Sequence, residues 1–183
     1  RCQTQPSCAQ FRCMKVIGLF ASLWAAVGIC ALLGTAIWRL SSRASEALRF
    51  ELSHLQWILL VLWAFFMAYA EGFKGFQKSF SPRTAARIYH LASSTNLLHS
   101  LLAPFFGMGY FHATKRTKIV AYSLTIGITL LVILVRLIPQ PWRGIIDAGV
   151  VVGLTWGVLS LIIFILRSFV KGKPDASPEL PNM

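Results

Sequence analysis

AYAEGFKGFQKSFSPRTAARIYH, residues 68 to 90, begins as the tail of an apolar run and turns to charge. Glu71 comes first, and Lys74, Lys78, Arg83 and Arg87 follow it. The fold turns on whether this glutamate belongs to a working site or marks the place where a helix meets water. Tyr69, Phe73, Phe76 and Phe80 are spaced four, three and four apart, which puts them in one stripe on a helix. That helix is expected to run past Glu71 into the headgroup zone of a membrane, where aromatic rings are favoured. Ser81 and Pro82 then read as the N-cap and first position of a new helix. Over 82–92, Ile88, Leu91 and Ala92 share one face and Arg83, Arg87 and His90 another, the pattern of a short amphipathic helix lying at a membrane surface with its basic face toward anionic headgroups. Glu71 is expected to close the interfacial end of its helix and pair with Lys74 or Lys78. The competing reading makes it a proton- or cation-handling carboxylate facing a helix bundle.

Working outward, the chain has 183 residues, 56% hydrophobic and 13% charged, with mean hydropathy +0.63. A soluble domain carries about 25% charged residues. The apolar residues gather in runs at about 16–38, 55–73, 119–138 and 145–166, each close to the ~20 residues a helix needs to cross a ~30 Å hydrocarbon core. The expected fold is an all-α integral membrane protein, a bundle of four transmembrane helices with a short interfacial amphipathic helix, and residues 14–170 form one transmembrane domain.

A fifth apolar segment, LLHSLLAPFFGMGYFHA (97–113), carries two histidines, Pro104 and two glycines. If it does not span, Lys15, Lys74, Lys78, Arg83, Arg87, Lys115, Arg116, Lys118, Arg167, Lys171 and Lys173 share one side, and Arg39, Arg43, Arg49 and Arg143 the other. If it spans, the same residues divide six against nine, a weaker asymmetry. Basic residues concentrate on the cytoplasmic side, so the segment is read as re-entrant, the alternative being a fifth span. Both termini are then cytoplasmic, in a plasma (inner) membrane.

RCQTQPSCAQFRC (1–13) has no periodicity and precedes Met14-Lys15, so it is read as an unstructured or non-native extension. The first apolar run is longer than the ~7–15 residues of a signal-peptide core and is read as a retained helix. KGKPDASPELPNM (171–183) reads as a disordered polar tail.

Gly149, Gly153 and Gly157 recur every four residues in the last run, and Ala64, Ala68 and Gly72 do so in the second. Small-xxx-small ridges let membrane helices approach closely, so these faces are expected to carry helix packing. PQPWRG (139–144) turns the last two helices into a hairpin that brings Arg136 and Asp147 to similar depth, and an ion pair between them is expected, Arg143 being the alternative partner for Asp147.

Charge at membrane depth is costly and marks candidate sites; Glu71, Arg136 and Asp147 qualify. His99 and His112 sit in an apolar setting but lack the spacing of haem, di-iron or zinc ligands, and no cofactor is expected. The net charge of +12 sits in segments flanking apolar runs without a nucleic-acid motif, so the expected partners are anionic lipids and a membrane protein or second copy of the chain. Phosphate-loop, dinucleotide and nucleophile-elbow motifs are absent. The expected function is that of a small structural or assembly protein of the membrane, the alternative being a small transporter or channel using Glu71 with Arg136 and Asp147, and the third reading a redox carrier using His99 and His112.

Overall fold

A computed structural model describes residues 16–93, 102–110 and 113–178. His99, His112 and residues 1–13 lie outside them. Helix α1 (Val16–Ala47) continues well past Trp38, where Arg39, Leu40, Arg43, Ala44 and Glu46 favour helix and Arg43–Glu46 at 3.4 Å ties one turn. Helix α2 (His54–Met67) opens on a capping box: the Ser53 hydroxyl accepts from Gln56 N–H, and the Gln56 carbonyl oxygen accepts from Ser53 N–H at 2.9 Å.

Where the sequence suggests a break at Ser81-Pro82, the helix continues. Ala68–Phe80 is π-helical and passes directly into α3 (Ser81–Ser93), so His54–Ala92 is one helix of 39 residues. The Ser81 N–H still reaches five residues back, to the Phe76 carbonyl. Pro82 has no N–H to donate in either register. The change from five-back to four-back bonding therefore falls on the residue that loses least by it.

The second correction concerns α3, which does not lie on a surface. Ser81, Thr84, Ala85, Ala86, Arg87, Ile88, Leu91 and Ala92 are all buried. The reason is the run of alanines beside Ile88 and Leu91. Small side chains let neighbours close in on several sides, whereas an interfacial helix needs one free face. Ala21, Ala25 and Ile29 of α1, Ile88 and Leu91 of α3, and Leu161 form the main core with Ala103 and Phe106.

Ala103 and Phe106 belong to α4 (Ala103–Met108), six residues with Pro104 in the first turn and a cap at Gly109, whose φ of 91° favours glycine. Six residues rise only ~9 Å. The described part of 97–113 is thus a short element packed on α1 and α3.

Helix α5 (Lys115–Arg136) is largely exposed along its length, and α6 (Trp142–Lys171) packs against α1, α2, the π segment and α3. Gly144 of α6 meets Ala47 of α1, while Gly18 of α1 meets the Ala92 carbonyl, so α1 runs antiparallel to both α6 and the long second helix. The second helix runs parallel to α6: Trp63 donates to the Ile146 carbonyl at 3.2 Å, and Tyr89 donates to the Gly172 carbonyl at 2.6 Å. The start of α1 and the end of α6 therefore lie at one end of the bundle. The molecule is all-helical among its described residues, and four of its helices are long and apolar enough to span a membrane. Their outer faces carry exposed Phe20, Phe65, Ile119 and Val170.

Candidate functional site

The π segment lies along the middle of α6. The three glycines that form a stripe on α6 each receive a large side chain from the second helix. Trp63 fills the space over Gly149, the Glu71 carboxylate lies over Gly153, and the Phe76 ring lies over Gly157. A Cβ on Gly153 would stand 3.1 Å from Glu71 Oε2, and one on Gly157 would stand 2.6 Å from Phe76. In the opposite direction Trp156 presses on Gly72, 2.9 Å from where its Cβ would be. The two small-residue ridges thus do not meet ridge to ridge. Each glycine is a hole for a bulky partner, and Ala64 and Ala68 are only half-buried.

Glu71 is half-buried, with its carboxylate turned toward α6. The expected pairing with Lys74 or Lys78 is not formed. Lys74 and Lys78 are both exposed, and the Lys78 ammonium lies over the Phe73 ring at 4.8 Å. Among the described residues no hydrogen bond or ion pair holds the Glu71 carboxylate. The π register accounts for the difference, because widening the helix changes which side chains share a face from the three-and-four spacing of an α-helix.

Polar groups continue along the same seam. Trp156 Nε1 donates to Gln77 Oε1 at 2.9 Å. The Ser81 and Ser160 hydroxyls lie 2.7 Å apart, both buried, and Ser160 donates to the Gly157 carbonyl. Thr84 is buried one turn further on. Arg87 follows at 1% exposure, donating to the Phe106 carbonyl at 3.1 Å with its guanidinium 5.6 Å from the centre of the Phe106 ring. Arg87 is therefore corrected from a headgroup contact to the pin that holds α4 in the bundle. Arg83 donates to the Ser79 carbonyl at 2.7 Å and to the Ser79 hydroxyl, and His90 is half-buried. Neither they nor Arg87 form an exposed basic face.

At the far end of α6, Asp147 is 4% exposed. Its partner is Arg143, at 3.8 Å, an electrostatic contact too long for a hydrogen bond. Arg136 is exposed and forms no ion pair with Asp147, which corrects the expected lock across the hairpin. The hairpin is held instead by Gln140, which donates to the Arg43 carbonyl at 3.5 Å and accepts from Gly144 N–H at 3.2 Å. Thr125, Thr129 and Thr155 donate to carbonyls of their own helices four residues back, so they offer no path. In the tail, Asp175 pairs with Lys171 at 3.1 Å and Arg167 at 3.4 Å.

No group of three or more His, Cys, Asp or Glu able to hold a metal occurs among the described residues. The sequence reading missed Trp63, Gly144, Phe106 and the Ser81–Ser160 contact. Only the capping box at Ser53 and Gln56 left a local signal, since the others depend on contacts between distant elements. No protein-family model, curated protein or solved structure matches the chain.

Proposed function

We propose that this is a multi-pass membrane protein of the small transporter or channel class, in which Glu71 takes up a proton or another cation. The observation that carries the reading is the position of the Glu71 carboxylate over Gly153, without an ion pair. Gly153 lies ~16 Å along α6 from Trp142, close to the middle of a ~30 Å hydrocarbon core. A carboxylate at that depth is costly unless it has work to do. Its place in a π-helical stretch adds support, since π geometry recurs at functional sites. Ser81, Ser160 and Thr84 extend the polar seam toward one end of the bundle. Arg136 and Asp147 have no part in it. Orientation follows basic residues: the end holding Lys171 and Lys173 is the cytoplasmic one, in a plasma membrane, with both termini on that side.

The test is flux. Purified protein in liposomes, loaded with a pH-sensitive dye and then with a sodium- or potassium-sensitive one, is expected to show a cation flux that Glu71→Gln reduces to background. Equal flux in the wild type and the variant would refute the assignment of Glu71.

A structural or assembly role has one observation of its own. Lys74 and Lys78 are exposed on the part of the helix whose other side packs on α6, where an acidic partner helix would neutralise them. A protein that purifies from mild detergent without a partner and still carries flux would rule that role out. The glycine stripe lends little to self-association, because it is filled from within the chain.

A further inference from the structure

We infer that the cation taken up at Glu71 is a proton and that no metal ion binds there; this rests on the reading of Glu71 as the working carboxylate. The argument is one of coordination. A hard divalent cation is held by about six to eight oxygens, or by a strict octahedron of them. Among the described residues the space over Gly153 holds the Glu71 carboxylate and one other oxygen, the main-chain carbonyl of Met67, and no group of three or more His, Cys, Asp or Glu able to hold a metal occurs. From α6 it faces Gly153, with Gly149 and Trp156 on either side, and none of these titrates. The single donor of Trp156 is engaged by Gln77. On its own helix the neighbours over the α6 stripe are Trp63, Met67 and Phe76, which are apolar or aromatic, and the charged residues Lys74 and Lys78 are exposed. Asp147 precedes Gly153 by six residues, which places it on another side of α6, and it is engaged by Arg143.

A sodium, potassium or calcium ion that entered this site without its water would recover one carboxylate and one main-chain carbonyl. A proton needs only one oxygen. It passes from a hydronium ion to one carboxylate oxygen, so that one O–H bond forms as the donor's O–H bond breaks, water leaves, and the carboxylate charge is cancelled. Gly153 is what gives the carboxylate its place against α6, as any side chain there would meet Oε2.

Infrared difference spectroscopy on the full chain in nanodiscs tests this independently of transport. On titration between about pH 4 and pH 9, a carbonyl-stretch band of a protonated carboxylic acid is expected. It should be lost in Glu71→Gln and displaced in Glu71→Asp, which keeps an acid and guards against loss of fold in the first variant. The titration curve should superimpose in sodium, potassium, calcium and choline chloride at equal ionic strength. A midpoint that moves with metal concentration would show competition at Glu71 and overturn the inference. The absence of any Glu71-dependent band would overturn it too. A titrating band in a protein without flux would leave the proton site standing and refute the transport reading alone.

Discussion

Gly144→Leu is expected to undock the α5–α6 hairpin from α1, at a cost of about 3 kcal/mol. A Cβ on Gly144 falls on the Ala47 methyl group and stands 3.0 Å from both the Arg43 carbonyl and Gln140 Oε1. None of the three yields easily. Ala47 has no rotamer to change, the Arg43 oxygen is main chain, and Gln140 is fixed by its bond to Gly144 N–H. Either α1 and α6 separate near this crossing, losing dispersion contacts that drive helix association in lipid, or the start of α6 unwinds. Gly127→Leu in α5 is the matched control, for nothing lies within 4 Å of a Cβ there; it should change stability by less than about 0.5 kcal/mol. The folded fraction of each variant, followed by thermal unfolding in mild detergent, measures the difference. Equal midpoints for the two variants would mean that the α1–α6 crossing is not where we place it.

The second large effect is expected at Arg87. Arg87→Ala removes a buried side chain, leaves the Phe106 carbonyl without this donor, and opens a cavity between α3 and α4. Together these amount to about 3 kcal/mol. Arg87→Lys should recover only part of it. A lysine is a point charge and cannot place a planar group over the Phe106 ring while donating to the carbonyl of the same residue. Of the cost of Arg83→Ala, about 1 kcal/mol comes from the lost bonds to the Ser79 carbonyl and hydroxyl. A cysteine at exposed Phe105 would report the undocking of α4 through a changed rate of thiol labelling. If Arg87→Ala left both stability and labelling unchanged, Arg87 would not be the pin.

How far these contacts were legible in the sequence varies with their range. Four long apolar helices followed from run lengths alone, because covering backbone hydrogen bonds in an apolar setting demands helix and run length sets the span. The stripe at Gly149, Gly153 and Gly157 was also legible as a packing face. What fills it was not, since Trp63, Glu71 and Phe76 reach it only in the register that the π segment imposes. The same segment explains the error over Ser81 and Pro82: a cap signal is local, and a change of hydrogen-bond register absorbed the proline instead. Residues 82–92 read as amphipathic because Arg83, Arg87 and His90 do share a face. Periodicity does not say whether the other side of that face is lipid or protein, and here Phe106 from a distant segment takes it. Arg136 and Asp147 were at similar depth in the sequence, but depth fixes only one coordinate, and Arg143 on the same helix was nearer.

The central claim is the parallel register of the second helix on α6, since it alone sets the Glu71 carboxylate over Gly153. Ser81 and Ser160 report it most directly, with their hydroxyl oxygens 2.7 Å apart across the seam. Serine-to-cysteine changes at both positions, in a background without other cysteines, should give a disulfide within the monomer when membranes are treated with a mild oxidant. The register predicts near-complete cross-linking for Ser81→Cys with Ser160→Cys and none for Ser79→Cys with Ser160→Cys. Free thiols at 81 and 160, labelled separately and at different rates by a water-soluble reagent, would place α3 outside the bundle and contradict the account.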